Sequence, residues 1–182
     1  MPLPDRKTAR LRFGRVSIPG ARYFLTICTR LREPVFAAPV TAARVTDTLR
    51  TLHVAGDLDL LAATVMPDHA HLLFALGSTL TLGQTMAKFK NLARDLGRAP
   101  WRWQDDGFEH RLRPNESAED YAFYIFMNPY RARLIAISEF WPCWLCPEPK
   151  RFQFTEKLKP DRTPPPEWLG TVEEVAQRIV TR

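Results

Sequence analysis

Met66-Pro67-Asp68-His69-Ala70-His71-Leu72-Leu73-Phe74 sets two histidines one residue apart in an apolar run, directly after a Pro-Asp turn. Side chains at i and i+2 of a strand share a face, so both imidazoles are presented together while Ala70, Leu72 and Phe74 point the other way, toward a core. Two of the chain's four histidines therefore meet at one spot. This is half a metal site, although a structural pair on a strand face fits the same spacing.

The neighbouring segments read as a sheet with helices. Residues 58–66 and 69–76 form two strands joined by the Pro67-Asp68 turn as an antiparallel hairpin. Residues 22–29 (Arg-Tyr-Phe-Leu-Thr-Ile-Cys-Thr) are aromatic and β-branched, a first strand. Apolar positions at Val45, Leu49 and Leu52 predict an amphipathic helix over 41–54, stopped at Gly56-Asp57. A second helix over 81–96 sets Leu82, Phe89 and Leu92 on one side and leaves Lys88, Lys90, Arg94 and Arg98 for solvent or phosphate. Residues 108–112 supply a fourth strand. The order β-α-β-β-α-β predicts an α+β domain of ferredoxin-like split βαβ type: an antiparallel sheet with helices on one face.

Composition narrows the class. The 182 residues are 45% hydrophobic, with eleven Phe and five Trp, enough for a real core. A net charge of +6 and a pI near 9.5 favour a polyanionic partner, nucleic acid first. No run is long enough to span a bilayer, and the first residues lack the apolar centre of a signal peptide, so the expected compartment is the cytoplasm and no membrane partner is expected. The expected organisation is a basic N-terminal arm over 1–20, carrying Arg10 and Arg12, a catalytic domain over 21–145, and a Pro-rich basic tail over 146–182. Within that tail 150–166 reads as an extended linker or DNA-following arm, and Thr171 with Glu174 as the capping box of a short terminal helix. Cys143-x-x-Cys146 has no second pair at finger spacing, so a zinc or redox reading of it is weak.

Ser117, followed by Glu119 and Asp120, marks a helix start, with a hydroxyl cap and carboxylates in the first turn. That helix should end at or before Asn128, because Pro129 disfavours a helical residue ahead of it. Tyr124 and Asn128 are one turn apart on one face, with Tyr121 on the same side. Taken alone, both tyrosines read equally well as core residues with hydroxyls at the rim.

Together these motifs resemble the REP-associated tyrosine transposases, single-strand transposases with a His-hydrophobe-His motif. The resemblance is carried by Val65 to Leu73, Phe89-Lys90-Asn91-Leu92-Ala93-Arg94, Trp103-Gln104 with Phe108, His110 and Arg113, and Tyr124 to Ala132. It runs from Arg22 to Trp144, in the family's order. Two positions depart from its pattern: Ala70 at the centre of the His pair, and Arg133 where glycine is common.

The resemblance implies an enzyme that cuts and rejoins single-stranded hairpin DNA through a 5′-phosphotyrosine. Tyr124 would be the nucleophile, and His69, His71 and Asn128 would hold a divalent cation, Mg²⁺ or Mn²⁺, beside the scissile phosphate. DNA contacts would come from Lys88, Lys90, Arg94, Trp103, Gln104, His110 and Arg113, with Arg10 and Arg12 of the arm; Phe108 is a second base-stacking candidate beside Trp103. Relatives share active sites across a dimer, so a homodimer stays open. Two rivals remain: a non-cleaving DNA-binding protein of the same fold, and a rolling-circle initiator nuclease, which the short length and the motif set disfavour.

Overall fold

The computed structural model describes residues 17–94 and 99–181. Residues 1–16 of the basic arm, with Arg10 and Arg12, and Arg98 lie outside the described residues. The elements run β1 (Arg22–Cys28), α1 (Pro39–Val54), β2 (Leu58–Met66), β3 (His69–Leu76), α2 (Leu82–Ala93), β4 (Phe108–Arg111), α3 (Ala118–Arg131), β5 (Trp144–Leu145), a short α4 (Gln153–Glu156) and α5 (Trp168–Arg178). Among the described residues no helix is long and apolar enough to cross a membrane.

The sheet is antiparallel in the order β4-β1-β3-β2-β5. Its first four strands have the expected split βαβ arrangement, and β5 adds an edge. The Pro67-Asp68 turn joins β2 to β3 with Met66 opposite His69. It is pinned from outside: the Thr29 N–H and hydroxyl both donate to the Asp68 carbonyl, and Phe36 N–H donates to that of Pro67.

Alternation along the strands divides two cores. Tyr23, Leu25 and Ile27 of β1 and Ala70, Leu72 and Phe74 of β3 face α1 and α2, which bury Val45, Leu49, Leu52, Leu82 and Phe89 against them. The opposite face carries Phe24 and Leu73 and is covered by α3. Between Leu60 and Ala62 the β2–β3 register shifts by one residue. Leu61 and Ala62 both join the α3 side, and Leu60 and Ala63 the other, so the bulge resets which residues of β2 face α3. The histidines stand on this α3 side.

Helix α3 begins as its sequence predicts: the Ser117 hydroxyl accepts the Asp120 N–H. It does not stop before Pro129 but runs to Arg131, with every residue from Tyr121 to Tyr130 buried. Proline removes one backbone donor and disfavours a helical Asn128, a penalty of a few kcal/mol at most, and ten consecutive buried residues outweigh it. The helix closes in a Schellman motif: Leu134 N–H donates to the Pro129 carbonyl and Arg133 N–H to that of Tyr130. Arg133 occupies the left-handed position of that motif, φ 56°.

Two expectations for the C-terminal region fail. The segment over 150–166 is not an extended linker, because Phe152 and Phe154 are buried against Phe123, Phe126 and Trp144. The last helix starts at Trp168, three residues before Thr171, and has no side-chain cap. The Trp168 ring packs on Phe123 and Phe126, so burial of an indole sets the start in place of a capping box. Helix α5 lies against α3, with Val172 and Val175 buried.

The left-handed backbone at Arg133 yields a direct test. Glycine adopts that conformation without the Cβ clash, so Arg133→Gly should stabilise the fold by about 0.5–1 kcal/mol, read as a higher urea midpoint at unchanged slope.

Candidate active site

One row of side chains crosses the sheet beneath α3. Register sets Phe108 of β4 opposite Thr26 of β1, Thr26 opposite His71 of β3, His71 opposite Thr64 of β2, and Thr64 opposite Trp144 of β5. His71 is buried at the centre of that row, its ring stacked on Phe24 at 5.7 Å and edge-on to Tyr124 at 5.7 Å. His69, two residues earlier, sits at the rim.

Both imidazoles are fixed through Nδ1. Thr26 Oγ1 lies 2.9 Å from His71 Nδ1, and an Asp68 carboxylate oxygen hydrogen-bonds His69 Nδ1. Asp68 is itself held by Arg32 at 3.2 Å. The two Nε2 atoms are 3.2 Å apart, and in the tautomer that donates Nδ1–H to these oxygens each ring turns its Nε2 lone pair inward. Burial lowers the pKa of both rings. For His71 the neighbouring His69 ring and the guanidinium groups of Arg32 and Arg131 deepen the shift to well below 6.5; for His69 the Asp68 carboxylate opposes it in part. Both are therefore neutral near pH 7.

Adjacent ligands about 2.1–2.2 Å from one cation are separated by about 3 Å, so the pair fits a shared metal ion. Asn128 approaches from α3: its Nδ2 donates to the Tyr124 carbonyl at 3.4 Å, and its side chain lies beside His71. The amide oxygen thus falls to the histidine side as the third donor. Among the described residues no cluster of three His, Cys, Asp or Glu exists, so a metal here depends on that amide.

A cavity of about 800 Å³ opens over these groups, lined among others by Thr26, His69, His71, Tyr124 and Asn128. Tyr121 does not share it: its hydroxyl donates to Glu116 and accepts the Val180 N–H, and burial, with Glu116 alongside, pushes its pKa up to about 12.

The expected DNA contacts divide. Gln104 and Phe108 line the cavity. Trp103 does not present its ring as a stacking platform; it is buried against Phe36, Phe89 and Trp101, and its Nε1–H donates to the Lys90 carbonyl. The cations of α2 are engaged within the chain: Lys88 with the Asp57 carboxylate at 2.6 Å, Lys90 with the Gln104 carbonyl, and Arg94 with the carbonyls of Trp101 and Ala99. Lys90 and Arg94 close the 99–104 segment over the core. His110 is committed to Glu116 and stacks on Tyr121, while Arg113 is exposed. Cys143 and Cys146 are half-buried thiols whose pKa values are raised by burial, Cys146 to about 12, which disfavours both thiolate chemistry and metal ligation.

Sequence reasoning did not find Thr26, Arg32 or Arg131, all of which line the cavity. Thr26 becomes visible only through the β1–β3 register. Arg131 carried a local signal, three residues beyond Asn128 and seven beyond Tyr124 on the same helix face.

Residues 17–97 match the family described as Transposase IS200 like. That stretch, a little under half of the chain, is similar to the IS200-like transposases. It holds the histidine pair and ends before α3, so Tyr124 and Asn128 lie beyond the match. Among solved structures, a REP-associated tyrosine transposase bound to a REP hairpin is 18% identical, with 68% of this chain and 75% of that one covered and a TM-score of 0.58; it shares the fold. A candidate transposase from Deinococcus radiodurans R1 is 21% identical, covering 68% and 92%, with a TM-score of 0.45. No curated protein matches the chain.

The inward use of α2's cations is testable. Lys88→Met leaves the buried Asp57 carboxylate without its partner and should cost about 1–3 kcal/mol in urea unfolding. The slope of log affinity against log salt for a single-stranded oligonucleotide should stay at its wild-type value.

Proposed function

We propose that this protein is a metal-dependent tyrosine transposase that cleaves and rejoins single-stranded hairpin DNA in the cytoplasm, with Tyr124 as nucleophile. The observation that carries the reading is the cavity itself: one tyrosine ring, two convergent imidazole nitrogens and an amide meet there. The family match over 17–97 supports transposition, and a protein of the same fold is bound to a REP hairpin.

His69, His71 and Asn128 would hold the cation, which would offset negative charge on the scissile phosphate. Two nitrogens and one oxygen form a softer donor set than Mg²⁺ prefers, so of the two expected ions Mn²⁺ suits it better. Tyr124 attacks phosphorus; its phenol proton passes to water, the bond to the 3′ oxygen breaks, and that oxygen takes up a proton. The product is a 5′-phosphotyrosine with a free 3′-hydroxyl, and rejoining is the reverse. Thr26 and Asp68 keep the imidazoles in the tautomer that offers Nε2. Gln104 and Phe108, on the cavity wall, are placed to contact the strand. One chain supplies every one of these groups, which favours a site complete in a monomer.

The test is a denaturing gel. A labelled pool of oligonucleotides, each with a hairpin and a randomised single-stranded flank, should form a protein adduct in Mn²⁺ more readily than in Mg²⁺. The adduct should vanish with EDTA, with Tyr124→Phe and with His71→Ala. An adduct surviving Tyr124→Phe removes that residue from the chemistry. Binding without any adduct supports the non-cleaving rival.

A further inference from the structure

Arg131 ends α3 at the wall of the cavity, two helical turns beyond Tyr124. Side chains of a helix lean toward its N-terminus, so a long residue at i+7 reaches back over i. Here the guanidinium carbon lies 5.9 Å from the Tyr124 ring centroid, close enough for its charge and the Tyr124 phenol to interact. Its position is set from a distant part of the chain. Glu173 of α5 accepts from Nε at 2.8 Å and from an Nη at 3.1 Å, the two-point geometry of an arginine–carboxylate pair. The clamp consumes one edge of the guanidinium and leaves the other N–H groups unused by Glu173. Ala176 and Thr181, from the same C-terminal segment, complete this wall.

We propose that Arg131 is a catalytic residue of strand transfer and that Glu173 is its positioning residue; this rests on the assignment of Tyr124 as nucleophile. Arg131 cannot serve as the base, since the Glu173 pair raises an already high pKa further. Its contribution is charge. As the phenol O–H breaks and the Tyr124 oxygen bonds to phosphorus, negative charge passes from that oxygen to the phosphoryl oxygens while the 3′ oxygen departs and is protonated. A fixed guanidinium beside the attacking oxygen stabilises both ends of that shift. In the reverse step the same group stabilises the tyrosine oxygen as it leaves. Helix α5 is thereby part of the reaction centre.

The test uses the full-length protein, the hairpin oligonucleotide pool and Mn²⁺, reading the single-turnover rate of adduct formation at saturating DNA alongside the dissociation constant. Arg131→Met should slow adduct formation about 10²-fold while the dissociation constant changes less than about threefold. Added guanidinium ion, at millimolar concentration below its denaturing range, should restore part of the rate in Arg131→Met and none in wild type. Arg131→Lys should recover part of the loss, and Glu173→Gln should slow the reaction by a smaller factor, about tenfold. Thermal unfolding of each variant identifies any that fail to fold; Arg131→Lys and the guanidinium rescue then decide, because a purely structural arginine would not be rescued by a diffusing cation. An adduct that forms as fast in both Arg131 variants as in wild type overturns the role of Arg131 and leaves Tyr124 standing. Absence of any adduct from the wild-type protein overturns the strand-transfer reading, and this role with it.

Discussion

The strand register around β3 is the constraint on which the rest depends. His71 faces α3 because Thr26 and Thr64 are its partners on either side. A slip of one residue would send the imidazole into the α1–α2 core and turn Leu72 toward the cavity, since strand side chains alternate strictly. The register is over-determined by apolar pairs that have no chemical role, such as Leu25 with Leu72 and Tyr23 with Phe74, all buried. The bulge at Leu61 belongs to the same constraint: without it the alternation of β2 would place Thr64 on the wrong face. The Pro67-Asp68 turn, tied down by Thr29 and Phe36, then fixes where the ladder begins.

Once His71 is buried, its polar atoms must be satisfied, and this shapes the surroundings. Nδ1 has Thr26; Nε2 has His69 and the Asn128 amide nearby. Asn128 can be there only if α3 stays helical through the residue before Pro129, a backbone state that proline disfavours. The helix meets that cost with its all-buried middle and with the paired hydrogen bonds of its Schellman end. Extending past Pro129 also brings Arg131 onto the Tyr124 face. A helix that stopped where the local sequence rule puts its end would present neither side chain in this way.

What could be read from the chain in advance was local. His69-Ala70-His71 after Pro-Asp gave the hairpin and the shared face; the spacing of Tyr124 and Asn128 gave one side of one helix; Ser117 gave that helix its start. Element order was enough for the split βαβ topology. Pairings between distant segments were not legible: the Arg131–Glu173 clamp spans 42 residues, and Phe152 and Phe154 in a Pro-rich basic segment look like linker until Trp144 and Phe126 are placed beneath them. Trp103 misled for a related reason. An aromatic next to lysines suits a base-stacking surface as well as a core lid, and only the buried neighbours Phe36 and Phe89 separate the two. Of the α3 rules, the cap held while the proline stop did not, because a cap is decided within one turn and a helix end by everything packed on it.

The net charge of +6 says less about the cavity than it first suggests. Each arginine at the wall is matched: Arg32 by Asp68, Arg131 by Glu173, while the two imidazoles are neutral and Asp106 adds a further carboxylate. Such pairing spends little of the attraction the guanidinium groups can offer at short range, but it fixes their positions and cancels their field at long range. On the proposed reading, His69, His71 and Asn128 would hold a cation that supplies positive charge toward an entering phosphate, and the paired arginines would act after contact, on the attacking oxygen and the phosphoryl group. Two neutral nitrogens with an amide would add no negative charge from the ligands themselves to such a cation. A carboxylate ligand in place of Asn128 would hold the ion more tightly and weaken that pull, which is a physical reason for an amide at this position.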